Sequence, residues 1–172
     1  MRSSEESSIK LLLADANVLI DLAAVDGGLG LVGDLIGLGL AEVYLPRTVY
    51  DEIATMVSEG DILRLGITIL PVTMATARTA RAYPDARLSV ADRILLAMAM
   101  ERNLSVWSND KRLRENCVQN GVSVFWEFQI LRELVVRGFV EKLRLVEVAR
   151  AVESKNGYMK LKGVAQKLEM EL

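Results

Sequence analysis

The chain has 172 residues, 51% hydrophobic and 26% charged, with a mean hydropathy of +0.25; this fits one folded domain with a small extension and excludes a disordered chain apart from its ends. The 21 basic and 23 acidic residues nearly cancel, so no global positive field draws the protein onto nucleic acid, and any phosphate contact must come from a local patch. Histidine is absent and Cys117 is the one cysteine, which removes His-based triads, most zinc chemistry, any disulfide framework and any thiolate cluster, and fits a cytoplasmic chain.

Residues 1–8, "MRSSEESS", read as a polar tail rather than a signal peptide. "IKLLLA" (9–14) is a short apolar strand that stops at Asp15, and "ANVLIDLAAV" (16–25) has helical spacing. "GGLGLVGDLIGLGL" (27–40) reads as a Gly-rich loop leading into a second helix. "EVYLP" (42–46) is a strand stopped by Pro46, and "RTVYDEIATMVSEG" a helix ending at Gly60. "GITILPV" (66–72) is a third strand, and "TARTARAYPDARL" a short helical piece with a loop at Pro84. "SVADRILLAMAMERN" (89–103) is the clearest helix, followed by strand "LSVWS" (104–108), helix "DKRLRENCVQNG" (110–121) and strand "VSVFW" (122–126). Residues 127–172 are helical throughout. Strands alternating with helices predict an α/β protein with a central, mainly parallel sheet covered by helices. No apolar run reaches the roughly 18 residues that cross a bilayer, so no membrane partner is expected.

In an open parallel sheet the active crevice lies beyond the carboxyl ends of the strands. Asp15 and Asp110 follow strands directly, and Glu52 and Asp92 sit in helices that follow strands or loops. Converging carboxylates repel one another, and a divalent cation resolves the conflict. With no His and no Cys cluster, an oxygen-only site favours Mg²⁺ or Mn²⁺, whose chemistry is mainly that of phosphate esters. Each acid also has a structural reading. Ser89-x-x-Asp92 and Thr48-x-x-Asp51 fit capping boxes, the latter leaving Glu52 as a first-turn acid. Asn109 fits an N-cap with Asp110 behind it, Asp15 a turn, and Asp21 a solvated helix face.

"LLLADANVLIDL", "YLPRTVYDEI", "LSVADRILLAMAMERNLSVWSNDKRL" and "GVSVF" together resemble the PIN domain family of VapC-type toxin ribonucleases and related nucleases, over roughly residues 9–125. The order of acids matches: Asp15, Glu52, Asp92, Asp110. Asn17 stands where the family's first motif carries a small polar residue, and Ser108 and Asn109 match the polar pair before the last acid. The resemblance implies a three-layer α/β/α sandwich over 9–126, with 127–172 as a helical extension packed on it or on a partner. It implies Mg²⁺- or Mn²⁺-dependent hydrolysis of RNA. Asp15, Asp92 and Asp110 would hold the metal, Glu52 would bind a second ion or act through water, and Asn17, Ser108 and Asn109 would support these ligands by hydrogen bonding. No side chain is an evident general base, so the metal must make the nucleophile. Toxins of this kind are homodimers inhibited by a small antitoxin, so a homodimer and such a partner are implied by the family alone.

Basic residues beside the acidic motifs, Arg47, Arg87, Lys111 and Arg112, with Arg78, Arg81 and Arg114 near them, are candidates for RNA contact or solvated helix charges. Trp107 and Trp126 read as core. Leu131, Leu134, Val135 and Phe139 form one apolar stripe of the tail and Val146, Ala149 and Val152 another; "YMKLKGVAQKLEMEL" is a third amphipathic piece. Three alternatives stand beside the nuclease. "GLGLVG" (Gly28–Gly33) spells the dinucleotide fingerprint, which needs a strand just before it. A haloacid-dehalogenase-like phosphatase expects a second Asp where Asn17 stands. A PIN-fold RNA-processing or scaffold protein without a toxin role would keep the fold.

Overall fold

The computed structural model describes residues 8–84, 87–157 and 163–172. Five strands form one all-parallel sheet: β1 (Ile9–Leu13), β2 (Ala41–Pro46), β3 (Thr68–Leu70), β4 (Ser105–Trp107) and β5 (Val124–Phe125), in the order β3-β2-β1-β4-β5. β1 is central, with Leu11 opposite Val43 on one side and Ser105 on the other. Leu11, Leu12 and Leu13 are all fully buried although successive side chains point to opposite faces, so helices cover both faces of the sheet. The α/β architecture expected from the alternating pattern is the one observed.

Ten helices lie among the described residues: α1 (Ala16–Ala23), α2 (Gly28–Gly37), α3 (Arg47–Ile53), α4 (Glu59–Arg64), α5 (Met74–Ala82), α6 (Val90–Arg102), α7 (Lys111–Gln119), α8 (Glu127–Val136), α9 (Lys142–Lys155) and α10 (Val164–Glu171). Helix α1 packs against α2, α3 and α9, and α8 against α2, α9 and α10, while α6 packs against α5 and α7. Phe128, Leu131 and Leu134 of α8 and Leu145, Ala149 and Val152 of α9 join the same apolar cluster as β1. Part of the third amphipathic piece of the tail, residues 158–162, lies outside the described residues, as do residues 1–7 of the N-terminal tail.

Several expectations are corrected. The segment 47–60 is two helices, not one. Helix α3 ends at Ile53, Val57 turns back into the core, and Ser58 caps α4 by accepting a bond from Asp61 N at 3.1 Å. Thr48 makes no capping box, because Pro46 in extended conformation already opens α3; Glu52 therefore lies in the last turn, not the first. Asp110, not Asn109, caps α7, its Oδ1 accepting from Leu113 N at 2.8 Å. Phe139 is 52% exposed, beyond the end of α8, rather than part of its buried stripe.

"GLGLVG" is the first half of α2, entered from α1 through Gly27 at φ 71°. No strand precedes it, so it makes no phosphate loop, and the dinucleotide reading falls. Of its glycines, Gly28 serves close packing instead. A Cβ on Gly28 would stand 2.3 Å from the Leu22 carbonyl oxygen, whereas one on Gly30 would meet nothing within 4 Å. Gly28→Ala is expected to cost about 1–3 kcal/mol by overpacking, and Gly30→Ala to add about 0.5–1 kcal/mol through helix propensity; denaturant titration of both reads the contrast.

Candidate active site

The sheet order places a topological switch point between β1 and β4, where connections leave in opposite directions. The parallel ladder continues past the strand ends on both sides of it. Ala14 N donates to Trp107 O at 3.0 Å, and Ser108 N to Phe125 O at 3.0 Å. The residues that follow, Asp15 and Asn109–Asp110, are thereby held at the mouth of a cleft of about 760 Å³. Asp15, Glu52, Asp92 and Asp110 all line it, together with Asn17 and Asn109. The structural reading holds for three of these acids, and the same side chains line the cleft. Asp15 caps α1, Asp92 completes the Ser89 capping box of α6, and Asp110 caps α7. Helix caps put carboxylates at fixed places around the cleft.

The capping bonds set each acid's orientation. Asp15 Oδ1 accepts from Asn17 N and Oδ2 from Asn109 N, both at 2.9 Å. Asp92 Oδ2 takes both contacts from Ser89, the hydroxyl at 2.7 Å and the amide at 3.3 Å. Fully buried Ser108 accepts from Asp110 N through Oγ at 2.9 Å, and Arg114 Nη1 donates to the Ser108 carbonyl at 2.8 Å. Ser108 and Asn109 thus hold backbone around the acids. Asn17 contributes its amide N–H to Asp15, and its exposed side chain lines the cleft.

Three further polar residues belong to this region. Asp21 lines the cleft and is half-buried, where a solvated helix face was expected. Burial lifts its carboxyl above the usual range; two hydrogen bonds from Asn156 at the end of α9 oppose this, and the charge of Asp15 adds to it. Asn156 also lines the cleft. Glu127, the first residue of α8, is fully buried, and its carboxyl is pushed up to about 8. Burial is the main cause, the Asn109 bond opposes it, and the charges of Asp21 and Asp15 reinforce it. Glu127 follows β5 as Asp15 follows β1, and that position is the signal that would have found it. Asn156 has no such signal, since it reaches the cleft only through the packing of α9 on α1.

The basic candidates separate. Lys111 and Arg112 line the cleft. Lys111 is paired with Glu115 at 3.5 Å, an exposed contact of little strength, and Arg112 Nη1 donates to the Arg87 carbonyl at 3.2 Å. Arg47, Arg78, Arg81 and Arg87 are not among the lining residues; Arg47 forms a two-point pair with Glu59 at 3.0 and 3.1 Å and stacks over Tyr50. Trp107 is fully buried with Nε1 donating to Glu127 O, and Trp126 is half-buried edge-on to Phe128. The Cys117 thiol, buried and near Asp92, is pushed up to about 12 and is no nucleophile.

The donors available here, carboxylate and amide oxygens without imidazole or thiolate, suit a hard divalent cation, and the charge of Asp15 adds to the lift that burial gives the carboxyls of Asp21 and Glu127. Among the described residues no three carboxylates are grouped tightly enough to cage an ion as they stand, since the caps hold them apart.

A parallel sheet with a polar cleft at its switch point places the chain among open α/β folds that bind ligands beyond the carboxyl ends of their strands. Within that class, the PIN domain family model matches residues 12–118, and the chain belongs to the PIN domain family, a nuclease fold whose members generally use divalent metal ions. Comparison with curated proteins finds no match. Solved structures similar to this chain include a PilT N-terminus domain protein from the hyperthermophilic archaeon Sulfolobus solfataricus P2, at 12% identity and a TM-score of 0.47, covering 73% of this chain and 92% of that one. Another is FitAB bound to an IR36 DNA fragment, at 23% identity and a TM-score of 0.46, covering 70% of this chain and 96% of that one. Among the described residues no helix is long and apolar enough to cross a membrane.

Proposed function

We propose that the protein is a divalent-metal-dependent endoribonuclease, using Mg²⁺ or Mn²⁺ held by Asp15, Glu52, Asp92 and Asp110. The observation that carries this reading is that all four acids line one cleft at the switch point, with Lys111 and Arg112 on the same wall. Bound there, the ion supplies an activated water and offsets the charge of the phosphodiester. The chain's own residues do the rest. Ser108, Asn17 and Asn109 hold the ligands in place through the hydrogen bonds described above. Lys111 and Arg112 receive phosphate, and neither is committed to a buried partner. By the motif resemblance we assign the protein to the toxin side of a toxin–antitoxin pair, cytoplasmic and homodimeric, with a small antitoxin closing the cleft. Growth arrest on expression, relieved by a short neighbouring open reading frame, is the result this assignment expects.

The decisive experiment uses Asp92→Asn. Both bonds that the Asp92 side chain accepts from Ser89 end on Oδ2, and the third is donated by the Asp92 backbone N to Ser89 Oγ, so an asparagine carbonyl keeps the cap. Single-stranded RNA with Mn²⁺ should be cut by the wild type and spared by this variant at an unchanged melting temperature. Equal cutting by both rejects the assignment. Replacing Arg112 by Ala should weaken RNA binding for all sequences alike and lower the slope of log K against log salt by about 0.7–1; a filter-binding series over salt reads it.

A further inference from the structure

We propose that Glu127, outside the segment matched by the family model, is a positioning residue of the nuclease site, acting through Asn109 on Asp15. The contact between Glu127 and Asn109 is a two-point clasp. Asn109 Nδ2 donates to Glu127 Oε2 at 2.7 Å, and Glu127 N donates to Asn109 Oδ1 at 3.1 Å. Both ends of the Asn109 amide are thereby used, which fixes its plane. Trp107 Nε1 holds the same corner from beneath, donating to Glu127 O at 3.2 Å. With its side chain so held, Asn109 presents its backbone N–H to Asp15 Oδ2 at 2.9 Å, and the next residue is Asp110. One buried side chain thus sets the loop that joins two of the four acids.

The side chain is unusual for a residue without a role. It is fully buried, and Oε1 has no hydrogen-bond partner among the described residues. Leaving a buried carboxyl oxygen unpaired is unfavourable, and a purely structural position at the start of α8 is served as well by a smaller polar or an apolar residue. The clasp needs an acceptor of this reach, and Gln offers the same reach and acceptor without the ionisable group.

This inference rests on the proposed site but is tested separately from it. Glu127→Ala, Glu127→Gln and, as an equally buried control on the same helix away from Asn109, Leu134→Ala are compared with the wild type. The first measurement is hydrogen exchange of the Asn109 amide against that of Leu12 in the central strand, without metal. The second is the Mn²⁺ midpoint for thermal stabilisation; the third is kcat and KM for RNA cleavage. Glu127→Ala should speed Asn109 exchange about tenfold beyond any change at Leu12. It should raise the Mn²⁺ midpoint by about 10–100-fold and lower kcat more than KM rises, the range seen when ligand-supporting groups are lost. Glu127→Gln should restore all three, and Leu134→Ala should move none selectively. An unchanged Asn109 amide in Glu127→Ala, or a Gln variant as impaired as Ala, overturns the proposal. If the wild type neither binds Mn²⁺ nor cuts RNA, the ribonuclease reading fails, and the clasp is then judged by Asn109 exchange alone.

Discussion

Asp15→Asn should lose both stability and cleavage, which sets it apart from the other acid-to-amide changes. Both Asp15 oxygens accept backbone N–H groups, from Asn17 and from Asn109. Asparagine has one carbonyl oxygen, so its NH₂ must face one of these donors. Leaving a part-buried donor unpaired costs about 1–3 kcal/mol, equivalent to a fall in Tm of about 2–12 °C for a domain of this size. Cleavage should fall by more than the 10–100-fold typical of a lost supporting group, because in the proposed function the group removed is itself a ligand. Thermal melts beside single-turnover cleavage check both parts. Asp15→Asn at wild-type Tm contradicts the double-acceptor geometry, and Asp15→Asn at wild-type rate contradicts the metal site.

Glu127→Gln should stabilise the metal-free protein, and increasingly so as pH rises. The folded-state carboxyl titrates near 8 and the unfolded one near its ordinary 4.5. Between those values the folded chain holds a proton the unfolded chain has released. Wild-type stability therefore falls with rising pH by about 1.4 kcal/mol per pH unit at most. The loss begins above the unfolded value and levels off above the folded one. Gln has no such titration, and its amide nitrogen carries a constant cost, so the slope is the readout rather than the offset. Melts in EDTA should show the Tm difference between variant and wild type flat near pH 4 and widening from pH 5 to 8, to an order of a few kcal/mol. Parallel pH profiles would mean that Glu127 is ionised in the folded state without cost.

Much of the site is legible in the chain because capping is a local code. Ser89-x-x-Asp92 and the acids at the ends of β1 and β4 are visible as short patterns, and the same bonds that start helices aim carboxylates at the crevice. The break at Ala54–Val57 is not legible as such, since that stretch holds no Gly or Pro; the signal lies one residue later, in Ser58-x-x-Asp61. Thr48-x-x-Asp51 carries an equal pattern and is silent because Pro46 fixes the helix start. Glu127 carries the same signal, two residues past the end of β5 as Asp15 is past β1, but its bond to Asn109 depends on β5 lying beside β4. Asn156 escapes for a different reason: its role depends on which helix lies on α1, and a pairing of that kind is written in packing, not in spacing.

The central place of β1 also bears on when the cleft is completed during synthesis. β1 pairs with β2 and then, across about ninety intervening residues, with β4. A chain emerging from the ribosome can assemble β1, β2 and β3 with Asp15 and Glu52 in place, yet one wall of the cleft is still missing. Asp92 and Asp110 arrive with α6 and the β4 loop, and Glu127, which bonds Asn109, and Asn156, which bonds Asp21, follow later still. Under the proposed ribonuclease function, chains stopped after residue 126 should be inert toward RNA even when they carry all four acids, which incubation of such truncations with RNA and Mn²⁺ checks.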